Sequence, residues 1–326
     1  MAFNEKGASI KEISEKLQLT NYTEHIDLSD CYIKVRDINR PALQLTGFYE
    51  HFDSNRIQLI GMVEYAYLHS LQSEDERHEI YKKLFSYKIP AVIICRGLKP
   101  EKYFIEEAER AGTPVLGTPR ATSQFEASLI NVLGYELAPT TTIHGVLVDV
   151  YGEGLLITGE SGIGKSEAAL ELVRRGHRLV ADDVVEVRCV NGNIILGQVT
   201  NSRIGHYMEI RGLGIIDITQ LYGIGAVRAQ KEIQLVMHLE EWDNTKEYDR
   251  LGLNQEYTDI LGVKIPLMTI PVKPGRNLPT IIEAAAMNER LKKTGRNSSK
   301  EFNQNILRWI EIGSENDLYL NGEDTY

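Results

Sequence analysis

Hydrophobic patterning divides the chain into two stretches of different character. In the first, short apolar runs alternate with amphipathic helical segments. Ser9–Leu17 reads as a helix, and Ile57-Gln58-Leu59-Ile60 as a strand. A second helix runs from a Ser73 cap to about Ser86, with Glu74 and Glu76 in its first turn and Lys82-Lys83 in its last. Ala91-Val92-Ile93-Ile94-Cys95 is nearly all apolar, as expected of a strand covered on both faces. A helix over Lys99–Ala111, a strand at Pro114-Val115-Leu116 and a helix over Thr122–Leu133 follow. Strands alternating with helices predict a small α/β domain with a mostly parallel sheet, assigned here to residues 1–131.

Gly, Pro and threonine interrupt the pattern from Gly134 to Thr140, and residues 132–326 are read as a second domain. Thr141–Val150 alternates in strand fashion. Tyr151-Gly152-Glu153-Gly154 turns it back into a second strand, Leu155-Leu156-Ile157-Thr158. A helix over Glu167–Arg175 ends at Gly176, and Arg178-Leu179-Val180-Ala181 is a strand. Asn191-Gly192 joins Val184–Val190 to Asn193–Leu196 as a hairpin. Met208–Asp217 and Leu221–Arg228 are Gly-rich and read as irregular. Ile233–Leu239 reads as a strand and Pro271–Asn277 as a basic loop. Pro279 opens a helix to about Lys293, and another lies around Phe302–Ile312.

The candidate chemistry begins between the Leu155–Thr158 strand and the helix after it. Gly159-Glu160-Ser161-Gly162-Ile163-Gly164-Lys165-Ser166 fits G-x-x-x-x-G-K-[ST] in full, in the strand–loop–helix context that a phosphate-binding loop requires. Backbone N–H groups converge on an anion there, and the new helix end adds its positive dipole. Lys165 would reach the β- and γ-phosphates, and Ser166 would ligate Mg²⁺. ATP is the expected nucleotide. Asp182-Asp183 ends a strand that the pattern puts beside the loop. One carboxylate can hold Mg²⁺ while the other takes a proton from an attacking hydroxyl. Lys273 and Arg276 sit in a loop shaped by glycine and prolines, where two cations can grip a phosphate or an acidic partner. His144 reads at least as readily as a structural or surface histidine as a catalytic one, and Glu209, Arg211 and Arg250 as ordinary surface charge.

Composition narrows the setting. The 326 residues carry a formal net charge of −10, which argues against broad nucleic-acid or anionic-membrane binding. No apolar run approaches the ~20 residues a bilayer span needs, and Met1–Lys16 lacks the pattern of a secretion signal. Cys31, Cys95 and Cys189 are odd in number and without metal-ligand spacing, as expected of free thiols in a reducing cytoplasm.

Taken together, the blocks resemble the HPr kinase/phosphorylase family. The resemblance rests on Gly159–Glu167, Ala181-Asp182-Asp183-Val184, Glu209–Ile216, Gly223–Arg228, Tyr248-Asp249-Arg250-Leu251-Gly252 and Pro271–Asn277, in the family's order. It implies an ATP- or pyrophosphate-dependent kinase acting on a serine of the phosphocarrier protein HPr. The same enzyme would run the reverse phosphorolysis, in which inorganic phosphate releases pyrophosphate. It implies Asp183 as the shared base and acid, with Asp182 in the same acidic pair. Lys165, His144 and Arg250 match catalytic positions, Ser166 and Glu209 match Mg²⁺ ligands, and Lys273 and Arg276 serve chiefly dephosphorylation. The implied fold is a C-terminal P-loop kinase domain like the nucleotide-binding domain of phosphoenolpyruvate carboxykinase. That would account for a hairpin, rather than a parallel strand, leading into the loop. The resemblance further implies a homohexamer, a glycolytic intermediate as activator, and a role in carbon catabolite repression. The alternatives are a small-molecule P-loop kinase of that fold and a non-catalytic nucleotide-gated module. The chain has no Asn-Lys-x-Asp, which weakens a GTPase switch, and no His-Arg-Asp or Asp-Phe-Gly.

Overall fold

The structure, a computed structural model, describes residues 7–200, 205–248 and 255–320, with side chains described as far as Trp309. Residues 1–139 and 140–326 form two compact units.

The first unit is α/β. Its sheet runs Thr20–Asn21, Val115–Gly117, Val92–Ile94, Ile57–Ile60, Ile38–Asn39. All neighbouring pairs are parallel except the first, which is antiparallel. Ile57, Leu59, Ile93 and Leu116 pack on one face with Ile10, Ile13, Phe125 and Leu129 from two helices. Ile60, Val92, Ile94 and Val115 pack on the other with Tyr81, Leu84 and Phe104. Burial on both faces is why the Val92–Ile94 strand reads as an unbroken apolar run. Ser73 caps Glu74–Phe85 by accepting from the Glu76 N–H at 3.2 Å, as the sequence predicts.

The second unit has three layers. Its central sheet has six strands in the order Arg178–Ala181, Val146–Val150, Glu153–Gly159, Leu235–Glu241, Val263–Val272, Glu256–Ile260. Helices Lys165–Arg174 and Leu278–Lys293 cover one face, burying Ala169, Leu172, Ile282 and Ala286 against Val148, Leu155, Ile157 and Met237. A four-stranded sheet, Gln230–Glu232, Ile194–Val199, Val184–Val190, Thr140–His144, covers the other, where Leu147, Leu156 and Val180 meet Val185, Val187 and Ile195. Each fully buried Val, Leu, Ile or Met among them contributes roughly 1.5–3 kcal/mol. Asn191 and Gly192 both take positive φ, and with Val190 opposite Ile194 the hairpin turns through Asn191, Gly192 and Asn193 rather than through two residues.

Several elements differ from the sequence reading. Thr141–Val150 is two strands in different sheets, Thr140–His144 and Val146–Val150. The chain steps between layers at Gly145, where a Cβ would lie 2.6 Å from the Ile157 carbonyl oxygen. Tyr207–Ile210 and Gly214–Asp217 form an antiparallel hairpin rather than irregular chain. Val263–Val272 is a ten-residue strand despite Pro266 and Pro271. The Arg178–Ala181 strand brings Asp182 beside the loop as expected, although antiparallel Val146–Val150 lies between it and the loop strand. Among the described residues, no helix is long and apolar enough to cross a membrane.

Candidate active site

The phosphate loop leaves the carboxyl end of Glu153–Gly159, and the strand beside it runs parallel, with Leu239 opposite Gly159. The next strand out is also parallel, with Val272 opposite Glu241. The loop after Gly159, the residues after Glu241 and the Lys273–Asn277 loop therefore leave the same edge of the sheet. Ligands of open α/β sheets bind at that edge. Across it, the loop strand and the Val263–Val272 strand are about 10 Å apart, two strand spacings.

Within the loop, Lys165 Nζ donates to the carbonyls of Gly159 at 2.9 Å and Glu160 at 2.8 Å. These contacts fold the ammonium back over the loop's own backbone. Gly162 has φ +87°, and a Cβ there would lie 2.6 Å from Arg211 Nη1. Arg211 also donates to Ser161 Oγ at 3.2 Å, so a cation from the Tyr207–Asp217 hairpin lies directly against the loop.

At the first turn of the helix, the Ser166 hydroxyl donates to Asp182 Oδ1 at 2.9 Å. The backbone N–H groups of Asp183 and Glu209 also point to the Asp182 carboxylate. Burial raises the Asp182 carboxyl above its ordinary 3.8, and the charge of Asp183 adds to the rise; the three donors oppose it. Asp182 thus ties together the loop helix, the Arg178–Ala181 strand end and the hairpin that carries Glu209.

Asp183 is exposed and has φ +67°. The Val184 N–H reaches the Asp182 carbonyl at 2.9 Å, closing a three-residue turn around it, and the Asp183 carbonyl accepts from Gly145 at 3.0 Å. A left-handed backbone costs a non-glycine residue energy, and such residues cluster at functional sites. His144 pairs across the strands with Val184, which sets it one residue from Asp183.

These contacts bring Gly159–Ser166, Asp182, Asp183, His144 and the Glu209 backbone into one neighbourhood. Lys273 and Arg276 lie on the same sheet edge, with Arg276 Nη1 donating to the Pro271 carbonyl. Arg250 falls outside the described residues. The structure adds Arg211, read in the sequence as surface charge. Its contact with Ser161 spans fifty positions, and no local pattern announces it.

Residues 135–306 match the HPr Serine kinase C-terminal domain, and residues 8–133 match the HPr Serine kinase N terminus. A Treponema pallidum (strain Nichols) HPr kinase/phosphorylase is 51% identical over 294 residues, 90% of this chain and 92% of that protein. The chain belongs to the HPr kinase/phosphorylase family. A Lachnoclostridium phytofermentans member is 50% identical over 291 residues, covering 89% of this chain and 94% of its own. A Caldicellulosiruptor bescii member is 46% identical over 306 residues, covering 94% and 98%. The solved Hpr(Ser) kinase/phosphatase from Coxiella burnetii is 39% identical and covers 50% of this chain and 98% of its own, with a TM-score of 0.45.

Both expected layers of this family member are therefore present, an α/β N-terminal unit and a P-loop kinase unit. Among the described residues, no group of three or more His, Cys, Asp and Glu side chains is arranged to hold a metal by itself. The loop offers the Ser166 hydroxyl, oriented by Asp182 beside it. That suits Mg²⁺, which is commonly held by one or two protein oxygens together with substrate phosphates and waters.

Proposed function

We propose that this enzyme phosphorylates a serine of the phosphocarrier protein HPr, using ATP or pyrophosphate, and reverses the transfer with inorganic phosphate. The observation that carries this reading is the contact of Ser166, in a phosphate loop, with Asp182 beside Asp183, in a chain about half identical to relatives named HPr kinase/phosphorylase.

In the forward direction the loop N–H groups and Lys165 hold the β- and γ-phosphates. Lys165 would leave the Gly159 and Glu160 carbonyls to do so. Asp183 takes the proton of the seryl hydroxyl as its oxygen attacks the γ-phosphorus and the bond to the β-phosphate oxygen breaks. In reverse, a phosphate oxygen attacks the phosphoserine phosphorus, Asp183 returns its proton to the departing seryl oxygen, and pyrophosphate forms. Microscopic reversibility makes one residue base and acid. Ser166 and Glu209 are the proposed protein ligands of Mg²⁺, with Asp182 orienting Ser166; when bound, the ion neutralises charge on the transferring group. His144 is assigned a role beside Asp183. Arg250 is assigned one from its sequence block, and Lys273 and Arg276 hold phosphate chiefly in the reverse direction.

A homohexamer, activation by a glycolytic intermediate, a cytoplasmic location and a role in carbon catabolite repression complete the proposal. Incubation with labelled ATP, Mg²⁺, a glycolytic intermediate and purified HPr tests it. Labelled phosphoserine on HPr is expected. Label transferred only to small hydroxylic metabolites would favour the small-molecule kinase, and no transfer at all would favour the nucleotide-gated module. Light scattering on the eluting protein tests the hexamer.

A further inference from the structure

We propose that the indole of Trp242 is a positioning platform for Lys273, and that it sets how tightly the Lys273–Arg276 loop holds inorganic phosphate. The inference rests on the reading of that loop as the phosphate-holding element of the reverse reaction.

The two residues leave the sheet side by side. Trp242 follows the Leu235–Glu241 strand and Lys273 follows its parallel neighbour Val263–Val272, with Glu241 opposite Val272. The Trp242 backbone N–H donates to the Val272 carbonyl at 3.0 Å, extending the ladder by one bond. Lys273 Nζ then lies 3.6 Å from the centroid of the Trp242 ring. A cation over an indole face is attracted by the ring quadrupole, and Trp is the strongest of the aromatic platforms.

The ring is itself held. Its Nε1–H donates to Asn244 Oδ1 at 2.8 Å, and the Tyr248 ring lies 5.0 Å away at 36°. The Asp243 N–H donates to the Tyr248 hydroxyl at 3.1 Å, which fixes that second ring. Two acidic side chains nearby are already engaged: both Glu240 oxygens accept from Lys246 Nζ at 2.8 Å, and Asp243 Oδ1 accepts from the Thr245 N–H at 2.8 Å and its hydroxyl at 2.7 Å. Among the described residues Lys273 has no ion pair with a carboxylate.

That choice of partner has a chemical consequence. A carboxylate would fix Lys273 but cancel its charge and compete with phosphate for it. An aromatic face limits the wandering of a four-carbon stem while leaving the positive charge for an incoming anion. Lys273 is exposed, which leaves its ammonium open to phosphate oxygens.

A double-mutant cycle on phosphorolysis of phosphoserine-HPr tests this. Trp242→Ala should raise KM for inorganic phosphate about fivefold to tenfold while leaving KM for ATP in the kinase direction within about twofold. Trp242→Phe, which keeps a ring, should recover most of the loss. Lys273→Ala should raise KM for phosphate at least as far, and adding Trp242→Ala to it should change KM by less than about twofold. Losses that multiply overturn the inference alone. A Lys273→Ala enzyme with unchanged KM for phosphate overturns the reading of the loop and this inference with it. Fluorescence separates contact from consequence. In a Trp309→Phe background Trp242 is the one remaining indole of two, and Lys273→Ala should change its emission. Unchanged emission overturns the platform itself.

Discussion

The Ser166 hydroxyl donates to Asp182 Oδ1 at 2.9 Å, joining the first turn of the loop helix to the end of a strand two places away in the sheet. A donor bond from serine leaves its oxygen lone pairs free, so the carboxylate orients a ligand atom rather than replacing it. Asp182→Asn keeps the size but loses the charge that turns the hydroxyl. The expected result is a 10- to 100-fold weaker apparent affinity for Mg²⁺, so that more of the ion is needed for half-maximal activity, the usual cost of disturbing an orienting partner. Activity titrated against Mg²⁺, at fixed nucleotide, measures it. Ser166→Ala should lose at least as much.

Asp183 combines the proposed proton transfer with a strained backbone, and the two separate by mutation. Asp183→Asn should lower both directions by several orders of magnitude with nucleotide binding retained. A fall in the kinase direction alone would rule out one shared base. Asp183→Gly and Asp183→Ala should both be inactive, yet differ in stability. Glycine accepts φ +67° freely and alanine does not, so the glycine variant should be the more stable by about 1 kcal/mol in urea unfolding.

Arg276→Ala should slow phosphorolysis more than phosphorylation. Its guanidinium already bonds the Pro271 carbonyl at the end of a parallel strand, which aims the Lys273–Asn277 loop along the sheet edge that carries the phosphate loop. Rates of both directions, measured on the same preparation, give the ratio. A larger loss in the kinase direction would refute the assignment.

Much of this arrangement was legible in the chain because its cues are local. The phosphate loop, the apolar runs Leu155–Thr158 and Ala91–Cys95, the Ser73 cap and Asn191-Gly192 each declare themselves within a few residues. Other features depend on distant packing. Alternation from Thr141 to Val150 reads as one strand, and the step at Gly145 follows from the Ile157 carbonyl against which that residue is pressed. Pro266 and Pro271 punctuate the sequence like a loop. Yet Pro266 sits opposite Tyr257 and Pro271 opposite Glu240 within continuous strand pairing. Arg211 on Ser161 and Lys273 on Trp242 join residues that no periodicity relates.

The hairpin that carries Glu209 and Arg211 should also make stability depend on pH through His206, at its base. Its Nδ1 is buried and has no partner among the described residues. Burial holds the imidazole below its ordinary 6.5, against the opposing pull of the Val180 backbone and of Asp217. Above 6.5 the ring is neutral in both folded and unfolded chains. Below it, the unfolded chain takes up a proton that the native state resists. The stability present at higher pH is therefore lost as pH falls through the lower native value. Urea midpoints should drop between about pH 7.5 and about pH 5.5, and His206→Asn should flatten that part of the slope. An unchanged slope in the variant would show that His206 does not link the hairpin to the proton.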